Sequence, residues 1–152
     1  MKQIDSFYNN EIIAGIAILA VLQKNKKIEI SKALLIQPIL SYKGMVGFLK
    51  NKRTKARSIE ELIVKKNIAF ANFNKRYLES LELSINSILL FRQLGLLTIE
   101  KDQLIYLEKN FDFSDKLLGN HALEIIAACF SITDILKKED ASNLYLSLRI
   151  EL

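Results

Sequence analysis

The stretch from Leu81 to Leu107 sets the narrowest limits on what this chain can fold into. Leu81, Ile85, Ile88 and Leu89 recur at the spacing that gathers apolar side chains on one face of a helix. That helix should close at Gly95, within Leu94-Gly95-Leu96-Leu97, because glycine enters the left-handed backbone region without a Cβ penalty. Beyond it, Leu97 and Ile99 alternate with Thr98 and Glu100, Lys101-Asp102 can turn the chain, and Leu104 to Leu107 returns as a second strand. Ile28-Glu29-Ile30 reads as a short strand able to join this hairpin in a three-stranded sheet. A helix feeding a β-hairpin is the pattern of a winged helix, a unit that binds nucleic acid in some proteins and only other proteins in others. The expected fold is mainly α with a small β-hairpin wing near 96–107, a winged-helix-like helical domain.

With 152 residues, half of them hydrophobic, the chain can bury one core, and 1–152 reads as a single domain. Asn9 or Asn10 is a candidate cap for a first helix whose Ile12, Ile13, Ile16, Leu19 and Leu22 fill a very wide apolar face. So broad a face must be covered by the rest of the fold or by a partner subunit. Ser31 is the candidate cap of a helix from Lys32 to Tyr42, in which Pro38 should force a kink or break near Ile36 or Gln37. Gly44 and Gly47 should loosen the chain, and Ser58 with Glu61 forms a capping box that starts a helix at Ile59. Asn67 to Asn74 fits either a loop or a short helix. Asn120 is a candidate cap for a late helix carrying Ala122, Ile125, Ile126, Cys129, Phe130 and Leu136 on one face, with Lys137-Lys138 suited to the negative end of its dipole. A turn at Glu139-Asp140 then leads to a last short helix through Leu144, Tyr145 and Leu148.

The net charge of +5 is unevenly distributed. Lys43 to Arg76 holds ten basic residues and two acids, a local +8 on an otherwise mildly acidic chain. Within it, Lys50, Lys52, Arg53, Lys55 and Arg57 form a run free of acids. Such a cluster can neutralise phosphates, meet an acidic protein surface, or simply solvate a loop. No aromatic residue interrupts it to stack on bases, which weakens a single-strand role.

Residues for chemistry are scarce. The single histidine, His121, stands at a helix start, and the single cysteine, Cys129, lies on an apolar helix face where burial makes a thiol inert. One Cys and one His do not complete a zinc site, no glycine-rich loop precedes a Lys-Ser/Thr pair, and neither Glu-x-Lys nor Asp-x-Lys occurs. The expectation is a non-enzymatic chain with no cofactor of its own. The run Ile12 to Leu22 is shorter than the about 20 apolar residues a membrane crossing needs, and the start does not read as a secretory leader. With one cysteine and no internal disulfide, this points to the cytoplasm.

The order of these elements resembles the middle component of ABC-three-component conflict systems, the group that includes the small middle subunit of Lamassu-type anti-phage defence. The likeness rests on Asn10-Glu11-Ile12-Ile13-Ala14-Gly15-Ile16-Ala17, on Leu34-Leu35-Ile36-Gln37-Pro38-Ile39-Leu40, and on the basic Arg53-Thr54-Lys55-Ala56-Arg57 entering Ser58-Ile59-Glu60-Glu61-Leu62. Ser87 to Leu97 and the terminal Ile135 to Arg149 extend it over nearly the whole chain. At the terminal turn this chain has Lys138-Glu139-Asp140-Ala141 where the family often has Gly-Asp-Pro. The resemblance implies a non-catalytic connector between an SMC- or Rad50-like ATPase that senses foreign DNA and an effector such as a nuclease, with ATP and metal held by those partners. On that reading, Ile12, Ile16 and Leu19, or Leu144, Tyr145 and Leu148, would dock on a partner, while the basic run would meet DNA, the ATPase or an acidic effector surface. A winged-helix transcription regulator, touching an operator with the same basic run, is the alternative.

Overall fold

The computed structural model describes residues 2–51, 56–108 and 111–152, with side chains from Asn10 onward. The first helix, α1, spans Lys2–Asn25. From Ala14 to Leu22 every residue is buried, so the helix is apolar on all sides and must lie inside the fold. It runs straight through Asn9 and Asn10, which therefore do not cap it. Its end is closed by Lys26, a non-glycine residue in the left-handed region, at φ 66°. Strand β1, Lys27–Glu29, follows directly.

Helices α2, Ile30–Ala33, and α3, Ile36–Leu40, replace the single helix expected from Lys32. Ser31 lies inside α2, whose N-cap position is Glu29. The break falls at Leu34 and Leu35, two residues before the expected point. A continuous helix would drive the Pro38 ring into the Leu34 carbonyl, whereas in the first turn of α3 the missing proline N–H would have had no helical partner anyway. Gly44 then adopts φ 88° and leads into α4, Met45–Lys50, which contains Gly47. These glycines border and enter a helix where the sequence suggested only a loosened chain.

Ser58 caps α5, Ile59–Lys65, by accepting the Glu61 N–H at 3.1 Å. The Glu61 carboxylate reaches back to the Arg57 N–H at 2.9 Å, one residue earlier than in a standard capping box. The ambiguous stretch supplies a single-turn helix, α6, Asn67–Phe70, and α7 follows over Phe73–Gln93. The Phe70 and Phe73 rings stack at 5.5 Å. Arg76 lies over the Phe73 and Tyr42 rings and donates to the Pro38 carbonyl at 3.3 and 3.4 Å, tying α7 to α3.

The face of α7 that packs inward is rotated from the one read from leucine and isoleucine spacing. Ile85 and Leu89 are 46% and 49% exposed, while Phe73, Tyr77, Ser84, Ser87, Ile88 and Phe91 are buried. Close approach to α1 decides this. A Cβ at Gly15 of α1 would overlap the Phe91 ring, so the aromatic ring sits where only glycine leaves room. Two buried serines further along α7 keep its inner face narrow.

Helix α7 ends as expected at Gly95, φ 76°, with the Leu96 N–H on the Phe91 carbonyl and the Gly95 N–H on that of Arg92. Strands β2, Leu97–Glu100, and β3, Gln103–Tyr106, pair antiparallel across Lys101-Asp102, and β1 adds to the far edge of β3 to give the order β1-β3-β2. The mainly helical fold with a small antiparallel sheet is thus as expected. Helix α8, Asn120–Lys138, packs against α1 and α4; its N-cap position is Gly119 at φ 91°, and Asn120 is its first helical residue. The last helix, α9, spans Ala141–Ser147.

Two polar ties hold α9 in place. The Tyr145 hydroxyl donates to the Ser31 carbonyl at 2.6 Å and stands 3.0 Å from the Tyr77 hydroxyl, and burial holds its phenol well above the usual tyrosine range. At the start of α5, the Glu60 carboxylate accepts from Ser147 at 3.4 Å and from the Glu139 carboxyl that follows α8. Glu60 is held below the ordinary glutamate range, chiefly by its own backbone N–H, while Glu139 is raised by burial, then by its hydrogen bond to Glu60 and by the charge there.

Three outcomes follow for stability. Gly15→Ala gains helix propensity of about 1 kcal/mol but overpacks against Phe91, so urea melts should show a net loss of about 1–2 kcal/mol, relieved by Phe91→Leu in the same chain. Ser84 buries its hydroxyl without a hydrogen-bond partner among the described residues, and Ser84→Ala should therefore stabilise by about 1 kcal/mol. Because the raised pKa of Glu139 makes it favour the fold only in acid, a contribution lost as pH rises, Glu139→Gln should raise the melting temperature at neutral pH. That gain should shrink as the pH falls through the raised Glu139 value and be gone below the ordinary glutamate range.

Candidate functional site

A concavity of about 880 Å³ lies between α4 and α8. Leu49, Ala56, Ala127 and Phe130 give it an apolar floor, and Lys50, Arg57, Lys137 and Lys138 give it a cationic rim, with Asp134 the one acid among them. A shallower depression of about 570 Å³ shares Lys50 and Ala127 and continues it past Leu123 to Asn120. The α8 residues lining the two recur every three or four positions, so one face of this helix lies open along its whole length.

Local sequence explains the geometry. Ser131 donates to the Leu49 carbonyl at 2.6 Å, pinning the last turn of α4 onto α8. Gly44 in the left-handed region turns the chain so that α4 can lie there. The ammonium of Lys138 reaches the Arg57 carbonyl at 3.5 Å, bringing the entrance of α5 to the end of α8. Lys24 stands 4.6 Å over the Phe130 ring, adding a positive charge next to that residue.

Of the basic run, Lys50 and Arg57 line this groove, and Lys52, Arg53 and Lys55 lie outside the described residues. Elsewhere in the basic segment, much of the charge is taken up internally. Lys65 pairs with Glu61 at 2.9 Å, Lys75 with Glu79 at 4.0 Å, Lys66 covers the Phe48 ring and Arg76 serves the Pro38 carbonyl. Lys50 itself meets Glu124 at 3.2 Å. The positive groove therefore draws on Lys137 and Lys138, which sequence reasoning assigned only to the helix dipole. Their place three and four residues beyond Asp134, on the same face as Ala127 and Phe130, was the available signal.

The candidate docking residues fare differently. Ile16, Leu19, Leu144 and Leu148 are fully or almost fully buried, and Tyr145 is partly buried and committed to Ser31 and Tyr77. The core of the chain takes up Ile16 and Leu19 through the packing of α7, α8 and the sheet around α1, and Leu144 and Leu148 are buried at the other end of the chain. Only Ile12, 41% exposed, remains available. Among groups with chemical potential, Cys129 is wholly buried and its thiol is pushed far above the usual range by burial, which keeps it protonated. His121 is exposed in the first turn of α8. Among the described residues no three His, Cys, Asp or Glu side chains cluster as a metal site, and no helix is long and apolar enough to cross a membrane.

No curated protein and no solved structure matches the chain. The family ABC-three component (ABC-3C) system Middle Component 3 does match, over residues 7–152. Because that match runs from within α1 to the end of the chain given, the chain belongs to this family of middle components, whose partners lie within an ABC-three component system.

Proposed function

We propose that this protein is the non-catalytic connector of a defence complex against phages or plasmids, coupling an SMC- or Rad50-like ABC ATPase that senses foreign DNA to an effector nuclease. Its membership of the middle-component family over residues 7–152 carries the reading. The chemistry of the side chains supports it: the one thiol is inert, and the one histidine lies on an exposed helix turn. In this reading ATP and metal are bound by the partner subunits, the complex works in the cytoplasm, and DNA reaches the chain only through the assembly. A free transcription regulator is disfavoured because so many described cations of the basic segment are committed to contacts within the chain. Weak electrostatic contact to DNA through the remaining cations would still be salt-sensitive.

Co-expression of the chain with the ATPase and effector encoded beside it tests the proposal. A stable three-part complex is expected on size exclusion, together with no ATP or DNA hydrolysis by the purified chain alone. A monodisperse chain that ignores both neighbours, or one that turns over either substrate unaided, would overturn it.

A further inference from the structure

We propose that the groove between α4 and α8 receives an acidic amphipathic segment of a neighbouring subunit, its apolar residues on Ala127 and Phe130 and its carboxylates toward Arg57, Lys137 and Lys138. The inference rests on the connector reading and names the surface through which it operates.

Shape, chemistry and charge agree on this occupant. The open face follows α8 over 19 residues, about 28 Å of helix, which suits a peptide segment lying along it better than a compact small molecule. A nucleic-acid backbone offers phosphates but no apolar surface, and would leave the half-buried Ala127 and Phe130 of the floor wet. An apolar side chain from a protein covers that floor and removes it from water. The rim selects the sign of the partner. Lys50 is already paired with Glu124, whereas among the described residues Arg57, Lys137 and Lys138 form no ion pair within the chain and gather at one end of the groove. Asp134 sits one turn before them and would repel a carboxylate placed above it, which sets the acidic residues of the partner beyond that turn. Burial within a shared interface would also strengthen these charge pairs relative to water.

The same geometry separates this surface from the rest of the molecule. Ile85 and Leu89 on α7 are exposed too, but neither lines the groove. The groove combines an apolar floor, a wall supplied by α4 and a mainly cationic rim.

The test uses the co-expressed three-part complex. A photo-crosslinking amino acid at position 134, exposed in the groove, should attach to a segment of the ATPase or effector in which apolar residues are followed by Asp or Glu. The triple variant Arg57→Glu, Lys137→Glu, Lys138→Glu should weaken capture of that subunit at least tenfold. Lys101→Glu at the hairpin tip should leave capture unchanged, and lysines placed at the crosslinked acidic positions should restore binding to the triple variant. Circular dichroism checks that the variant folds; where it does not, the crosslink decides. Failure of the wild-type chains to assemble would remove the connector reading itself. An assembled complex in which position 134 attaches to nothing or to DNA, or in which the folded triple variant binds normally, would remove the groove and leave the connector standing.

Discussion

Everything in this fold is arranged around the enclosure of α1. Nine consecutive residues from Ala14 to Leu22 are buried, so no side of the helix can face water, and each burial of a leucine or isoleucine contributes about 1.5–3 kcal/mol. Helices α7 and α8 and strand β3 close around it, and α3 completes the cover. The enclosure is possible because small residues punctuate the oily ones. Gly15 admits the Phe91 ring, and Ala14, Ala17 and Ala20 let neighbours approach closely. Packing at this density leaves little slack for added volume.

Satisfying α1 internally has a consequence for how the protein meets others. The apolar residues that looked most adhesive, Ile16, Leu19, Leu144 and Leu148, are spent on the chain's own stability. The surface is made of what packing leaves over. On α8 that remainder is organised: the face opposite the core carries an apolar middle and a basic end, and α4, held by the Ser131 hydroxyl, raises a wall beside it. A connector needs such division of labour, with one side of a helix building the domain and the other offered outward.

The elements whose signals are local were legible in the residues. Ser58 and Glu61 mark the start of α5, Gly95 marks the end of α7, and the alternation around Lys101-Asp102 marks the hairpin; each depends on backbone conformations or hydrogen bonds within a few positions. Where tertiary contact competes with a local rule, the reading slips. Asn9, Asn10 and Ser31 are good caps in isolation, yet helix continues through them because the surrounding chain favours it. The inner face of α7 was misjudged for a related reason. Leucine and isoleucine weigh most in a periodicity argument, but serine packs best where two helices nearly touch.

The sequence by itself determined the class of the fold, the sheet built from β1 and the hairpin, the basic sign of the middle segment and the poverty of reactive groups, because these follow from periodicity, composition and short-range conformational preference. Only the tertiary structure decided which apolar residues are core and which cations are free. Those outcomes depend on residues far apart in the chain: Phe91 against Gly15, Lys138 against Arg57, Ser131 against Leu49. A charge or a methyl group acquires its role from the partner that reaches it in space, and that partner is fixed by packing rather than by position along the chain.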